Sequence, residues 1–345
     1  MRSTLFHLPT TIPWAGGGVP LFGAGLLTAI WILAAAIWFG LAAKRHGWQA
    51  AASQLWLPAL VVTVMLGWVL PGLDDGVGVP IRGYGVMLLV AAAAGTWLSI
   101  IRGRRAGIDA DTILGLATEV FIWGLVGARL FYVIEYREQF FAAGKPFGQT
   151  LLDIVNIANG GLVVFGSLPT AAFAAWRFAA RRNLPLLALA DCAAPGMLLG
   201  LAIGRVGCFL NGCCYGGPCD LPWAVTFPAG TEVAARYPST PAGSSVPVHP
   251  AQLYSAIDAA ILSAVAVAWT PFARRPGQVF ALVLTLHPIS RLLLEAIRVD
   301  EAPAFGTPFS ISQLLSLVML GLAAALWWWI ERQPPVTAAG MRGAT

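Results

Sequence analysis

The sequence predicts an all-α polytopic membrane protein of about nine transmembrane helices with a small extracytoplasmic head segment. Three observations lead to this class. Hydrophobic residues make up 58% of the 345 and charged residues only 11%, whereas soluble domains carry about 25% charged residues. Mean hydropathy is +0.74, and apolar runs near the ~20 residues a span needs recur along the whole chain. The basic residues gather in every second connection, the signature of membrane orientation. The net charge of +5 is modest and scattered over short loops, which argues against a nucleic-acid partner.

Nine stretches are candidate spans: about 20–43, 53–71, 84–101, 112–134, 160–180, 186–207, 251–271, 277–297 and 309–330. The first has too long an apolar core for a signal peptide, and Lys44-Arg45 follows it instead of preceding it, so a retained span is expected. Pro71-Gly72-Leu73-Asp74-Asp75 divides the first two spans from the rest. The expected division is an N-terminal extension over 1–78, a main transmembrane domain over 79–332 with a head at 208–250, and a cytoplasmic tail over 333–345. The head is rich in Gly, Pro and Ser.

Lys44-Arg45, Arg102-Arg104-Arg105, Arg177 with Arg181-Arg182, Arg274-Arg275 and Arg332 all follow odd-numbered spans. The other loops hold Asp74, Asp75, Glu135, Glu138 and Glu232. The positive-inside rule then places the N-terminus outside, the C-terminus in the cytoplasm and the 208–250 head at the outer face.

Charges inside the spans are the candidates for function, because hydrocarbon tolerates them only with a partner or a cavity. Arg205 ends the sixth span within Gly204-Arg205-Val206-Gly207-Cys208-Phe209-Leu210-Asn211-Gly212. His287, Arg291, Glu295 and Arg298 share one helical face through spacings of four, four and three. Arg291 with Glu295 suits a salt bridge; Arg298 and Arg205 add positive charge beyond it, which suits an anionic ligand such as a phosphate. In the fourth span Glu119 and Arg129 read equally well as a structural pair or as ligand contacts. Gly160-Gly161 marks close approach of backbone to a ligand or to a neighbouring helix. A histidine such as His249 is as readily an interfacial residue as a functional one.

Cys208, Cys213, Cys214 and Cys219 have the spacing C-x4-C-C-x4-C, a poor match to zinc-binding pairs. At an outer face a disulfide ranks first. A reactive thiolate beside Arg205 ranks second, and a metal last. Cys192 reads as a small apolar residue of a span.

Taken together, the ordered motifs resemble the prolipoprotein diacylglyceryl transferase family. They are Tyr84-Gly85 with Met87, Gly127-Ala128-Arg129-Leu130, Gly160-Gly161-Leu162, the 204–212 core, Asp220-Leu221-Pro222-Trp223, His249-Pro250-x-Gln252-Leu253-Tyr254, Arg291-x3-Glu295-x2-Arg298 and Ser310-x-Ser312-Gln313. The resemblance runs from about residue 80 to 330, over seven spans, and leaves the first two as additions.

It implies a transferase of the bacterial cytoplasmic membrane that moves a diacylglyceryl group from phosphatidylglycerol to the lipobox cysteine of a preprolipoprotein. A thioether forms and glycerol phosphate leaves at the outer face, with no cofactor and no metal. The partners implied are the phospholipid, the preprolipoprotein signal peptide and the membrane. Arg205 and Arg291 then hold the phosphate, with Glu295 orienting Arg291. Tyr84, Arg129, Asn211, Gly160, Gly161, His249, Gln252 and Arg298 are the substrate-binding set. The chain departs from the family where a histidine is usual, at Phe165, and where a glutamate is usual, at Cys213. Cys208 stands for an asparagine and His287 for a tyrosine. Another group must therefore take the thiol proton, and His287 or His249 is the candidate. Other readings are a phospholipid-dependent transferase with a different acceptor, a lipid- or lipoprotein-binding protein without catalysis, and a transporter, the last disfavoured by the absence of an inverted repeat.

Overall fold

The computed structural model describes residues 4–14, 17–141, 146–156, 160–239, 243–299 and 306–334. Most of the C-terminal tail expected over 333–345 lies outside the described residues. The chain is predominantly helical and divides into two compact units, Met1–Val86 and Met87–Thr345.

The first unit holds strands that the all-α reading did not anticipate. Strand β1 (Thr4–Leu8) pairs antiparallel with β4 (Val79–Arg82), and β2 (Thr11–Trp14) with β3 (Gly17–Pro20). Each sheet has only two strands, and prolines interrupt β2, β3 and β4, so hydrophobic alternation is too short to register as a pattern. Helix α1 (Leu26–His46) packs against α2 (Trp48–Val64), which continues through a π-helical turn at Met65–Val69 into the short α3 (Leu70–Gly72). Trp31 Nε1 donates to Thr63 Oγ1 across α1 and α2 at 3.1 Å.

Helix α4 (Gly83–Arg105) leads into the second unit and ends in Arg102, Arg104 and Arg105, the basic last turn that complements a helix C-terminus. Helix α5 (Ala110–Glu135) starts at Asp109, whose side chain accepts from the Thr112 backbone N–H at 2.7 Å and its hydroxyl at 2.6 Å. These bonds hold the Asp109 carboxyl below its ordinary range. Two short helices follow, α6 (Arg137–Phe140) and α7 (Phe147–Val155). Helix α8 (Val164–Arg181) then crosses back against α5, and α9 (Leu186–Asn211) leads to the head, with its short α10 (Glu232–Arg236). Helices α11 (Ala251–Trp269), α12 (Gln278–Glu295) and α13 (Ile311–Glu331) complete the bundle; α9 packs on α11, and α12 on α13.

Among the described residues seven helices are long and apolar enough to cross a bilayer: α1, α4, α5, α9, α11, α12 and α13. The chain is thus a polytopic membrane protein. Helices α2 and α8 stand at the other two expected positions but outside this set; α8 has only 18 residues, with Pro169 inside it and Arg177 and Arg181 on it.

Helix pairs meet through glycine. A Cβ on Gly127 of α5 would lie 2.0 Å from Thr170 Oγ1 and 2.4 Å from the Gly166 carbonyl of α8. A Cβ on Gly196 of α9 would lie 2.3 Å from the Gly95 carbonyl of α4. Such contacts exclude any side chain, and they replace the hydrophobic drive that lipid cannot supply between helices.

The head is a packed body in its own right. Tyr215, Phe227, Val233 and Val248 are fully buried in one cluster. Val225 and Val248 exchange backbone hydrogen bonds at 3.1 Å, giving the irregular 212–250 segment a core despite its sparse secondary structure.

Candidate active site

The site is assembled from three chain segments: the C-terminal end of α9 with the turn after it, the last turns of α12, and the N-terminus of α13. Glu295, buried at the end of α12, faces Arg291 one turn earlier, as the spacing predicted. The Arg298 Nε lies 4.0 Å from the same carboxylate oxygen. The other oxygen accepts from Ser310 Oγ at 2.8 Å. Ser310 is the N-cap of α13 and forms a reciprocal capping box with Gln313. Arg291 Nη2 donates to Ser312 Oγ at 2.8 Å. A start signal for a helix and a buried carboxylate are thus tied together, and α13 fixes the rotamers of both Arg291 and Glu295.

Arg205 lies six residues before the end of α9. Its Nε is buried without a hydrogen-bond partner among the described residues. Its charge reaches both His287 and Cys214, and that of Arg298 reaches Cys214 as well. Arg291 and Arg298 thus flank one carboxylate, and Arg205 adds a third cation near His287.

His287 has a buried Nδ1 without a hydrogen-bond partner among the described residues. Asp258, Arg205 and Arg291 are the charged groups around it. Asp258, in the middle of α11, accepts from Ser290 Oγ at 2.7 Å. Sequence reasoning passed over Asp258, although a lone carboxylate within an apolar span is the signal that would have found it. A second overlooked carboxylate, Asp191 of α9, accepts from the backbone N–H groups of Gly277 and Phe280 at 2.6 and 2.8 Å. It caps the start of α12 and so sets the depth at which His287 and Arg291 lie.

Two expectations are corrected here. Glu119 and Arg129 are not partners of each other. Glu119 binds Arg177 and Arg181 of α8. Arg129 donates to five backbone carbonyls: Ile154, Gly160, Gly161, Asp153 and Asn156, at 2.6–3.0 Å. Every N–H of its fork is engaged, so it pins the segment around Gly160-Gly161 and has no donor left for a lipid. The glycines have a matching reason. Gly160 and Gly161 have positive φ (86° and 81°), and a Cβ on Gly161 would lie 2.5 Å from Arg129 Nη1.

Gln252 is fully buried and donates to the Cys213 carbonyl at 2.8 Å. It supports the cysteine turn. His249 Nδ1 stands 3.5 Å from the Tyr254 hydroxyl, which also accepts from Trp223 Nε1 at 2.7 Å. His249 is thus part of an aromatic group with Tyr254 and Trp223, and its carbonyl accepts from Gly216 N–H at 3.1 Å. Asn211, the last residue of α9, is exposed. Tyr84 belongs to the first unit, half-exposed at the second position of α4.

The cysteines are all present as thiols. The sulfurs of Cys208, Cys213 and Cys214 lie within 4.8 Å of one another, whereas Cys219 lies outside the group. Phe165 is the second residue of α8, one residue before the Gly166 that meets α5.

A buried carboxylate flanked by arginines, in a chain with helices long and apolar enough to cross a bilayer, marks an integral-membrane protein. A model of the prolipoprotein diacylglyceryl transferase family matches residues 76–329, and the chain belongs to that family. Curated relatives carry the name phosphatidylglycerol–prolipoprotein diacylglyceryl transferase. That of Rhodopirellula baltica is 39% identical over 245 residues, covering 68% of this chain and 49% of its own length. That of Gloeobacter violaceus is 30% identical over 262 residues, covering 74% of this chain and 91% of its own. Transferase 1 of Streptomyces coelicolor is 34% identical over 230 residues, covering 65% and 62%. The chain therefore spans about half the length of the Rhodopirellula protein and nearly all of the Gloeobacter one.

Proposed function

We propose that the protein transfers the diacylglyceryl group of phosphatidylglycerol to the lipobox cysteine of preprolipoproteins. The observation that carries this reading is the pairing of Arg291 and Arg298 with the buried Glu295 at the end of α12, together with an Arg205 Nε buried without a hydrogen-bond partner among the described residues, in a chain of this family. Arg205 and Arg291 take the phosphodiester and stabilise the charge that develops as the carbon–oxygen bond breaks. Glu295 and Ser312 keep Arg291 at the angle this requires. His287 accepts the proton of the incoming thiol, and Asn211 donates to the lipid head. Arg298 adds positive charge next to Glu295, and Gln252 and His249 hold the head against the bundle.

In this reading α2 and α8 cross the bilayer as well, making nine spans with the N-terminus outside. The C-terminus is cytoplasmic, and the site and the head face outward. Residues 1–78 are an added pair of spans, 79–332 the catalytic domain and 333–345 a tail. The acceptor is the signal peptide of a secreted lipoprotein, and the setting is the bacterial cytoplasmic membrane.

The experiment is complementation of a strain depleted of its own transferase, paired with transfer from labelled phosphatidylglycerol to a lipobox peptide by the purified protein. Growth and a thioether-linked product are expected. Lipid turnover without peptide modification would instead support an acceptor of another kind, an outcome to which Phe165 in the usual histidine place lends weight. Neither turnover nor transfer would leave a binding protein.

A further inference from the structure

The end of α9 is shaped to bring three sulfurs to one point. Gly212 adopts the left-handed conformation (φ 74°) that terminates a helix, and the N–H groups of Gly212 and Cys213 both return to the Cys208 carbonyl, at 2.9 and 3.2 Å. Cys214 follows with φ of 58°, a left-handed conformation that a non-glycine residue adopts only where its surroundings hold it. The surroundings do hold it. Gln252 binds the Cys213 carbonyl, Gly216 N–H binds the His249 carbonyl, and Gly217 N–H binds the Ile297 carbonyl. The result is that Cys213 and Cys214 fold back over Cys208, with all three sulfurs within 4.8 Å of one another.

Two features separate this from a disulfide. Three sulfurs converge, so any single pairing leaves the third without a partner. The tetrahedron around a zinc ion, with Zn–S of ~2.3 Å, has sulfur–sulfur edges of about 3.8 Å, and the three sulfurs here lie within 4.8 Å of one another. The charge also fits. Three thiolates around a divalent ion carry one net negative charge, and Arg205 lies three residues before Cys208 on the same helix, a spacing that puts the two on one face. The linear spacing hid this, because Cys208 lies inside the helix and its partners beyond the turn.

We propose that Cys208, Cys213 and Cys214 form a three-thiolate site for a zinc-class divalent cation whose fourth position is open to the incoming acceptor thiol. Three protein ligands with one open position are the pattern of a catalytic, not a structural, zinc site, and thiolate ligands select zinc over hard cations. This rests on the transfer reading above and adds an ion to the thiol activation that His287 provides there. The acceptor thiol binds the ion as its proton leaves to His287. Its sulfur then attacks the glyceryl carbon, and the sulfur–carbon bond forms as the carbon–oxygen bond breaks. The electron pair leaves on the phosphate monoester, which takes up the proton.

The test uses the full-length protein in detergent, kept reduced with a phosphine, and the metals alone as probes. Wild type should bind about one Co²⁺ per chain with an intense thiolate-to-cobalt charge-transfer band, and Zn²⁺ should displace it. Addition of a cysteine-containing lipobox peptide should shift that band, and its serine analogue should not. Cys208→Ser, Cys213→Ser and Cys214→Ser should each weaken binding at least ~100-fold, a loss no smaller than that for outer-shell partners, while Cys219→Ser retains it. The cobalt spectrum of wild type needs no variant to fold. No charge-transfer band in wild type would overturn the site, as would a disulfide among the three cysteines in protein isolated without reductant. A band insensitive to the peptide thiol would overturn the open position. The two readings separate: bound metal without any diacylglyceryl transfer removes the transfer reading and leaves the site. Full transfer by a Cys208→Ser, Cys213→Ser, Cys214→Ser variant leaves the transfer reading and removes the role of the ion.

Discussion

At the scale of single residues, Arg291 and Arg205 look alike in the sequence yet sit in different conditions. Arg291 is held on both sides, by Glu295 and by Ser312; Arg205 has an unpartnered buried Nε among the described residues. A planar fork that meets a phosphate with two parallel bonds is not replaced by the point charge of lysine. Arg205→Lys and Arg291→Lys should each reduce lipid turnover at least ~100-fold, the usual loss for one donor aimed at developing charge, with size-exclusion profiles unchanged. Full activity in both lysine variants would remove the phosphate-clamp argument. His287 has a buried ring nitrogen still available for proton transfer. His287→Ala should lower the transfer rate by at least ~100-fold, the size of a general-base contribution, and flatten the acid limb of the pH–rate profile. An unchanged rate and profile would reassign the proton to another acceptor.

At the scale of elements, the helices are positioned by small residues and by their ends. The α5–α8 contact depends on Gly127 and Gly166, where backbone meets backbone with no room for a methyl group. Gly127→Ala should therefore destabilise the protein by about 1–3 kcal/mol, the range for overpacking a closed contact. Loss of monodisperse protein at a lower temperature than wild type is the readout, and an unshifted transition would mean the helices separate freely there. Helix ends do the rest. Asp191 caps α12, Ser310 caps α13, and Gly212 closes α9. Each of these brings a site residue to its place.

At the scale of the whole molecule, seven helices qualify as spans among the described residues, while α2 and α8 carry the difference between that number and nine. Orientation decides what the site can meet. Reporter fusions at Arg104 and Arg274 should read cytoplasm, and a fusion near Gly243 should read the outer face. A cytoplasmic signal at Gly243 would put the arginines and thiols on the wrong side for a secreted acceptor. By parity α8, at the fifth expected position, must cross if Arg104 and Arg274 share a side with Arg182.

The sequence by itself determined the membrane class, the positions of the seven helices that are long and apolar enough to cross a bilayer among the described residues, and the pairing of Arg291 with Glu295, because these depend on composition and on spacing within one helix. The Gly160-Gly161 pair was legible as a place of close backbone approach, though not what approaches it. Tertiary structure alone decided the rest. It sent Arg129 to five carbonyls, gave Glu119 to Arg177 and Arg181, and set Asp258 near His287. It also gathered Cys208, Cys213 and Cys214 into one cluster that a C-x4-C-C spacing does not advertise. The physical reason is common to all four. A helix fixes which of its own residues share a face, but which groups meet across helices depends on how far each turn rotates the chain. That rotation is set by a single left-handed glycine or by a contact too close for a side chain, neither of which has a period to read.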